Sequence, residues 1–170
     1  MDLWGRVART VTAAGEEAQA TAADLGTASL SLHAELAIDY FDLRSADSLA
    51  KLLNDSVKYY ADALQLTENR AEGGAAPESD VAQAKTLLDT TRVQATDITV
   101  QRTQFEHAIA VLIGKPPAAF SLPASPLALH QPLVPVGVPS ELLQRRPDIA
   151  AAERRVAEAN EQIGIAEAAY

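Results

Sequence analysis

The sequence predicts an all-α fold: a long antiparallel helical hairpin, coiled-coil-like in its packing, with a third helix stacked on its shorter arm. Three observations support this prediction. No proline precedes Pro77, so the chain opens with a long run of helical composition. The stretch at residues 70–80 contains glycine and proline and separates this run from a second one. The chain is 48% hydrophobic but only 5% aromatic, which favours close packing of helices.

The first arm, Leu3 to Glu72, carries two apolar series. In each series the residues recur every seven positions, and the series differ by two residues, or about 200° around a helix. A surface helix has one apolar stripe, so two stripes predict neighbours on both sides, as in the wall of a bundle or barrel. At about 1.5 Å per residue the arm would be roughly 105 Å long, unless it breaks near Gly26. The first series is Leu36, Leu43, Ala50, Val57 and Leu64, and the second is Ile38, Ser45, Leu52, Tyr59 and Leu66. Four aspartates are expected between the stripes, facing water: Asp39, Asp42, Asp55 and Asp62.

Residues 70–80 predict a tight reversal at the free end of the hairpin. Gly73 and Gly74 can adopt the positive φ that ends a helix. Pro77 suits the first turn of the next helix, and Glu78 and Asp80 place negative charge near its N-terminus.

The second arm, Pro77 to Ile113, shows apolar residues at three- and four-residue spacing with one wider step. Gly114 is placed as a helix-ending glycine, and Pro116 and Pro117 block continuation of the helix. The spaced residues are Val81, Ala84, Leu88, Ala95, Ile98, Phe105, Ala108 and Leu112.

Residues 115–139 contain seven of the nine prolines and predict an extended, partly packed connector, with short strand candidates at 127–129 and 133–134. A third helix is predicted from Ser140, with a second start at Pro147. Its seam of small residues is predicted at Ala152, Val156, Ala159, Ile163, Ala166 and Ala169. Charged residues are expected on the other face: Glu153, Arg154, Arg155, Glu158 and Glu161.

Composition and motifs argue against several functions. The net charge of −9 disfavours nucleic acid as a partner, and the absence of cysteine excludes thiolate chemistry. His33, His107 and His130 lack metal-ligand spacing, and no phosphate-binding loop or catalytic grouping occurs. Asp39 and Asp42 could resemble an acid pair but are expected on a solvated face, or lining a pore if the helices form a barrel. We therefore expect no enzyme activity, no cofactor and no metal.

No apolar run of about 18 residues occurs, so no transmembrane helix is predicted. The sequence Met1-Asp2-Leu3-Trp4 lacks the features of a signal peptide. The helical pattern continues to both ends, and we expect the chain to be part of a longer protein.

Two segments resemble TolC-like outer-membrane efflux proteins, in the branch that serves resistance-nodulation-division pumps. The segment Val136–Tyr170 is similar to a signature of that family, and its core Leu-Leu-Gln-Arg-Arg-Pro-Asp-Ile, residues 142–149, is highly specific. The tip, with Arg70, Gly74 and Asp80-Val81, is similar to the family's Arg-Tyr-x-x-Gly-Leu-x-Ser-x-x-Asp-Val. Asp2-Leu3-Trp4-Gly5-Arg6 resembles the family's strand-to-helix entry.

The resemblance implies a homotrimer that joins a β-barrel in the outer membrane to a periplasmic α-barrel. Residues 1–114 would form the hairpin of the first repeat, 115–139 an equatorial connector, and 140–170 the first helix of the second repeat. The β-strands, a signal peptide and an acylated cysteine typical of this lipoprotein branch would lie outside the chain. The implied function is a passive duct for small molecules expelled by an inner-membrane pump.

The resemblance also implies that the tip meets a periplasmic adaptor. The implied contact residues are Arg70, Gly73, Gly74, Ala75, Ala76, Pro77, Ser79 and Asp80. Ala71, Ala75 and Pro77 replace the family's usual Tyr, Leu and Ser, which implies a weaker or altered contact. An ordinary hairpin turn is the simpler interpretation of the same residues. The alternative function is a soluble helical-hairpin or coiled-coil interaction module, such as an adaptor or sensor domain. Amphipathic strands on both sides of the chain in its gene would favour the duct.

Overall fold

The computed structural model describes Asp2 and residues 4–127 and 139–169, and these residues form the predicted all-α fold. The four α-helices are α1 (Arg6–Glu72), α2 (Glu78–Leu112), α3 (Pro139–Gln144) and α4 (Pro147–Glu167). A short 3₁₀ turn spans Pro117–Ala119, and the described ranges contain no strand. The candidate strand residues 128–129 and 133–134 lie outside these ranges. None of the described helices combines the length and apolar character needed to span a membrane.

Helix α1 runs unbroken from Arg6 to Glu72, so the break considered near Gly26 does not occur. The cost of a helical glycine is offset here by packing, because a Cβ on Gly26 would lie 3.3 Å from the Cβ of Pro147. The missing side chain thus lets the start of α4 approach α1 closely. At the N-terminus of α1, the carboxylate of Asp2 accepts hydrogen bonds from the backbone N–H of Val7 at 3.0 Å and from that of Ala8 at 3.3 Å.

One compact unit comprises residues 1–34 and 131–170. Within it α4 runs antiparallel to the first part of α1, because Arg9 pairs with Glu161 while Glu16 pairs with Arg154. Arg155 makes a third ion pair, with Asp24. The residues buried in this unit are small, and they allow the two helices to pack closely: Ala13, Ala20, Ala151 and Gly164.

The prediction of which face of α4 packs is wrong, because the predicted seam of small residues does not face α1. The side chains of Val156 and Ile163 are 70% and 60% exposed, and Ala152, Ala159, Ala166 and Ala169 are also exposed. Ala151 and Gly164 face α1 instead, and the predicted outer-face residues Arg154 and Arg155 form ion pairs with α1. Small residues lie on more than one flank of α4, so their spacing alone does not identify the face that packs on α1.

A second compact unit comprises residues 35–130 and contains the part of α1 after residue 34, the tip and all of α2. Its helices are antiparallel: Asp47 contacts Arg102, Leu53 shares a groove with Gln94 and Ile98, and Glu68 shares one with Val81. The buried apolar residues of this unit are Leu43, Ala46, Leu88, Ile98, Ile109 and Ala110. They include three positions of the predicted spacing, Leu43, Leu88 and Ile98.

The two apolar stripes predicted for α1 have different environments. The first series is buried or half-buried along its length. The second is exposed, with Ile38 at 56%, Leu52 at 62%, Tyr59 at 72% and Leu66 at 52%. One aspartate prediction is wrong: Asp39 is buried, whereas Asp42 and Asp62 are exposed and Asp55 is half-exposed. Asp39 lies one turn before Leu43, on the flank of α1 that packs in the hairpin.

Candidate functional site

At the tip of the hairpin, α1 ends in a specific turn. Gly74 has a φ of +71°, and its N–H donates to the carbonyl of Ala71 at 2.9 Å. The N–H of Ala75 donates to the carbonyl of Arg70 at 2.8 Å. These two bonds form a Schellman motif, which satisfies carbonyls at the end of α1 and turns the chain. Of the two predicted glycines, Gly74 therefore adopts the positive φ.

Helix α2 begins immediately after the tip. Pro77 is extended, at φ −76° and ψ 155°, and its carbonyl accepts the N–H of Asp80 at 3.0 Å. Glu78 and Asp80 both lie in the first turn of α2. Negative charge is favourable there because the unpaired N–H groups of a helix start carry partial positive charge.

A shallow groove of about 460 Å³ lies beside the tip, between the end of α1 and the start of α2. Its apolar walls are formed by Ala71, Ala76 and Val81, and three carboxylates surround them: Glu68, Glu72 and Glu78. Of the eight predicted contact residues, Ala76 lines this groove, and the other seven are exposed around the tip. Sequence reasoning did not identify the three glutamates as part of a common surface. The signal was present, because Glu68 and Glu72 are one helical turn apart.

A second polar site holds the connector against the hairpin. The carboxylate of Asp47 on α1 accepts a hydrogen bond from Nε of Arg102 on α2 at 2.7 Å and another from Nη1 of Arg44 at 3.0 Å. It also accepts the backbone N–H of Ser125 at 3.0 Å. The Asp47 side chain is only 2% exposed. These three donors satisfy a carboxylate that would otherwise be costly to bury.

The second carboxylate of this site is Glu106, one turn after Arg102. It accepts the Nη1 of Arg102 at 2.9 Å and the backbone N–H of Leu122 at 2.6 Å. Arg102 also donates through Nη2 to the carbonyl of Leu122 at 2.6 Å, while Arg44 donates to the carbonyl of Pro123 at 2.8 Å. Further along, Ser48 Oγ accepts the N–H of Leu127 at 2.9 Å. Five backbone groups of residues 122–127 are thus bonded to hairpin side chains. We call Arg44, Asp47, Arg102 and Glu106 the connector clamp.

Both clamp carboxylates are held in the ionised form. Burial by itself raises the pKa of Asp47, but the N–H of Ser125 and the guanidinium groups of Arg102 and Arg44 outweigh it and lower that pKa below its usual value. Burial likewise raises the pKa of Glu106, and the N–H of Leu122, the Ser121 hydroxyl and Arg102 lower it overall. The arrangement is suited to holding a chain segment in place and provides no reacting centre.

Sequence reasoning missed the connector clamp. Each member of it looks like an ordinary charged residue on a helix, and Asp47 and Arg102 are 55 residues apart. One signal could have indicated it: Asp47 and Arg102 each lie one turn after a core residue, Leu43 and Ile98.

Among the described residues, no group of histidine, cysteine, aspartate or glutamate is placed to hold a metal ion. Of the three histidines, His33 contacts its own helix, where its Nδ1 lies 2.6 Å from the backbone oxygen of Ser29. His130 lies outside the described ranges. Of the arginines in the specific segment, Arg146 forms an ion pair with Asp148 at 2.6 Å.

Comparison with known proteins gives a consistent result. Residues 1–115 match the family described as Outer membrane efflux protein. The chain is 39% identical to the toluene efflux pump outer membrane protein TtgF of Pseudomonas putida, over 100% of the chain and 35% of that protein. It is 34% identical to the pyoverdine export outer membrane protein OpmQ of Pseudomonas aeruginosa, over 99% of the chain and 36% of that protein. The chain thus spans about a third of the length of these curated relatives.

Solved structures show the same similarity. The outer-membrane channel OprN superposes with a TM-score of 0.91 at 35% identity, over 98% of the chain and 38% of that structure. The outer membrane protein VceC of Vibrio cholerae superposes with a TM-score of 0.84 at 26% identity, over 99% of the chain and 40% of that structure.

Proposed function

Because the chain belongs to the outer membrane efflux protein family, we propose that it forms the periplasmic helical part of a trimeric outer-membrane duct for small molecules. In this proposal residues 1–114 form the hairpin, 115–139 the equatorial connector and 140–170 a helix of the second repeat. The duct is passive, and an inner-membrane pump of the resistance-nodulation-division type supplies the energy. Binding, trimerisation and gating are its tasks, so it needs no catalytic residue.

The observation that carries the proposal is the two-sided character of α1. One apolar stripe of α1 packs within the hairpin, while the other is exposed along at least four turns, from Leu52 to Leu66. A helix that ended its packing with α2 would place polar residues on that second flank. An exposed apolar stripe of this length supports a further helix beside α1, as in the wall of a helical barrel.

The test uses the full-length protein with Leu52→Glu and Leu66→Glu together. Buried carboxylates in the wall would be unpaired, so we expect loss of the trimer in native mass spectrometry and loss of export in cells. Lys51→Glu is the matched control, because Lys51 is exposed and lies between the two stripes. A double variant that still forms trimers and exports its substrate would contradict the proposal.

We further propose that the tip docks a periplasmic adaptor through its exposed residues and the adjoining groove. The predicted contacts are Arg70, Gly73, Gly74, Ala75, Ala76, Pro77, Ser79 and Asp80. The three glutamates around the groove favour a partner surface that carries positive charge beside a small apolar side chain. This charge would compensate for the missing large side chains at Ala71 and Ala75.

Adaptor docking is tested by changing Glu68, Glu72 and Glu78 to glutamine in the full-length protein. We expect weaker binding to the purified adaptor at low ionic strength, and a smaller difference from the unaltered protein at high salt. Asp89→Asn, on an exposed part of α2, is the control. Equal adaptor affinity of the triple variant and the control at low salt would exclude the glutamates from the contact.

A further inference from the structure

The polar links between the hairpin helices are concentrated at one level. Within residues 35–127, the ion pair that joins α1 to α2 is the one between Asp47 and Arg102. The pairs Lys58–Asp55 and Arg92–Asp89 each remain within one helix. Between this level and the tip, no side-chain ion pair joins α1 to α2 among the described residues.

Arg102 uses all three of its guanidinium nitrogens at this level. Its Nε binds Asp47 on the opposite helix, its Nη1 binds Glu106 on its own helix, and its Nη2 binds the connector carbonyl of Leu122. The two carboxylates that hold Arg102 also accept connector N–H groups, those of Ser125 and Leu122. Helix α1, helix α2 and the connector are therefore joined in one closed set of hydrogen bonds.

We propose that Arg102 is the centre of a latch that couples the spacing of α1 and α2 to the docking of connector residues 122–127. If α2 moves away from α1, Arg102 must release either Asp47 or the carbonyl of Leu122. Loss of the first bond removes the donor that binds Oδ1 of Asp47, because Arg44 and Ser125 both bind Oδ2. Loss of the second removes the acceptor of Nη2 of Arg102. Each loss weakens the same set of hydrogen bonds, so the two events favour each other. Release of the connector must by the same linkage loosen the helix spacing.

Few charged groups surround the carboxylates of Asp47 and Glu106. The charged groups that contact the two carboxylates are Arg44 from α1 and Arg102 from α2. Residues 120–127 have no titratable side chain, so the connector contributes backbone groups and the Ser121 hydroxyl. The Arg44 guanidinium also lies 5.0 Å from the centre of the Tyr40 ring. The latch does not depend on the proposed export function, because it rests on contacts within one chain.

The first test changes a connector residue and measures the distance between α1 and α2. Spin labels at Lys51 and Gln104, both exposed, report the distance between α1 and α2 by pulsed electron paramagnetic resonance in the full-length protein. Ser125→Pro removes the N–H that binds Asp47 and changes no hairpin residue. We expect this substitution and Arg102→Gln each to broaden the distance distribution. Arg92→Gln, which breaks an ion pair within α2, is expected to leave the distribution unchanged. An unchanged distribution in Ser125→Pro would overturn the latch.

The second test perturbs a helix and measures the connector by hydrogen exchange. The connector N–H groups bind Glu106, Asp47 and Ser48, and none of them binds Arg102. We nevertheless expect Arg102→Gln to speed the exchange of backbone N–H groups in residues 121–127 about tenfold or more. Arg102→Lys keeps the charge but cannot make all three bonds, so a smaller increase is expected. This variant also decides the question if Arg102→Gln unfolds the hairpin. Exchange at the rate of the unaltered protein in Arg102→Lys and in a folded Arg102→Gln would refute the coupling.

Discussion

At the scale of single residues, Asp47 links both hairpin helices to the connector. Its side chain is 2% exposed and has partners on α1, α2 and the connector. We predict that Asp47→Asn lowers the free energy of unfolding by about 3 kcal/mol, because the buried guanidinium of Arg44 and the half-buried guanidinium of Arg102 lose the carboxylate that they share. Urea unfolding followed by circular dichroism measures the change. Asp89→Asn is the control, since its ion pair with Arg92 is 55% exposed on both sides and contributes less than about 1 kcal/mol. Equal effects of the two substitutions would show that burial of Asp47 has no energetic importance.

The same site predicts a dependence of stability on acidity. The pKa values of Asp47 and Glu106 are lower in the folded chain than their usual values. Groups of this kind stabilise the fold fully above their unfolded pKa, near 4, and lose that contribution as the pH falls through the lower folded pKa. We therefore expect the free energy of unfolding to fall as the pH drops below about 4. In Asp47→Asn with Glu106→Gln this fall should be smaller. An identical acid dependence in the double variant would assign it to other carboxylates.

At this scale the sequence was least informative. The clamp residues follow ordinary helical charge spacing, i to i+3 for Arg44 and Asp47 and i to i+4 for Arg102 and Glu106. Such pairs are usual on exposed helix surfaces. Their burial depends on where the connector returns, and residues 121–127 have no sequence pattern that specifies that path. A long-range contact of this kind follows from tertiary structure, which local periodicity does not encode.

At the scale of elements, the ending of α1 depends on one glycine. Gly74 has a φ of +71°, whereas a Cβ on Gly73 would meet only the carbonyl oxygens of Asn69 and Arg70, at 3.5 and 3.7 Å. We predict that Gly74→Ala destabilises the hairpin by about 1–2 kcal/mol, because a side chain disfavours the left-handed conformation. Gly73→Ala should be neutral or slightly stabilising, because alanine favours helix. Thermal unfolding of the two variants compares them directly, and a larger loss from Gly73→Ala would contradict the assigned turn.

Element boundaries were predictable because the signals that set them are local. The hairpin arms, the reversal at residues 70–80 and the helix ending at Gly114 follow from glycine, proline and apolar spacing within a few residues. The same spacing did not predict which face of α4 packs on α1. Buried Ala151 and exposed Ala152 are neighbours of the same size, so the choice between them depends on tertiary packing against α1, which residue spacing does not encode.

At the scale of the whole molecule, apolar surface remains uncovered on three helices. On α1 it is the second stripe, and on α2 it includes Leu87, Val93, Val100 and Val111. On α4 it includes Val156 and Ile163. Single exposed apolar residues are common on proteins, but rows at helical spacing on several elements indicate surfaces that are covered by other helices. This distribution agrees with membership of a family of channel proteins.

The last prediction concerns the 170-residue chain by itself. Its exposed rows cannot all be covered within one copy, so we expect the isolated chain to self-associate, with an apparent mass that rises with concentration in sedimentation velocity. Tyr59→Glu with Leu66→Glu places two charges in the second stripe of α1 and should shift the chain toward the monomer, because charged residues disfavour an apolar interface. Lys51→Glu, between the stripes, should leave the association unchanged. A chain that stays monomeric at every concentration would contradict the prediction.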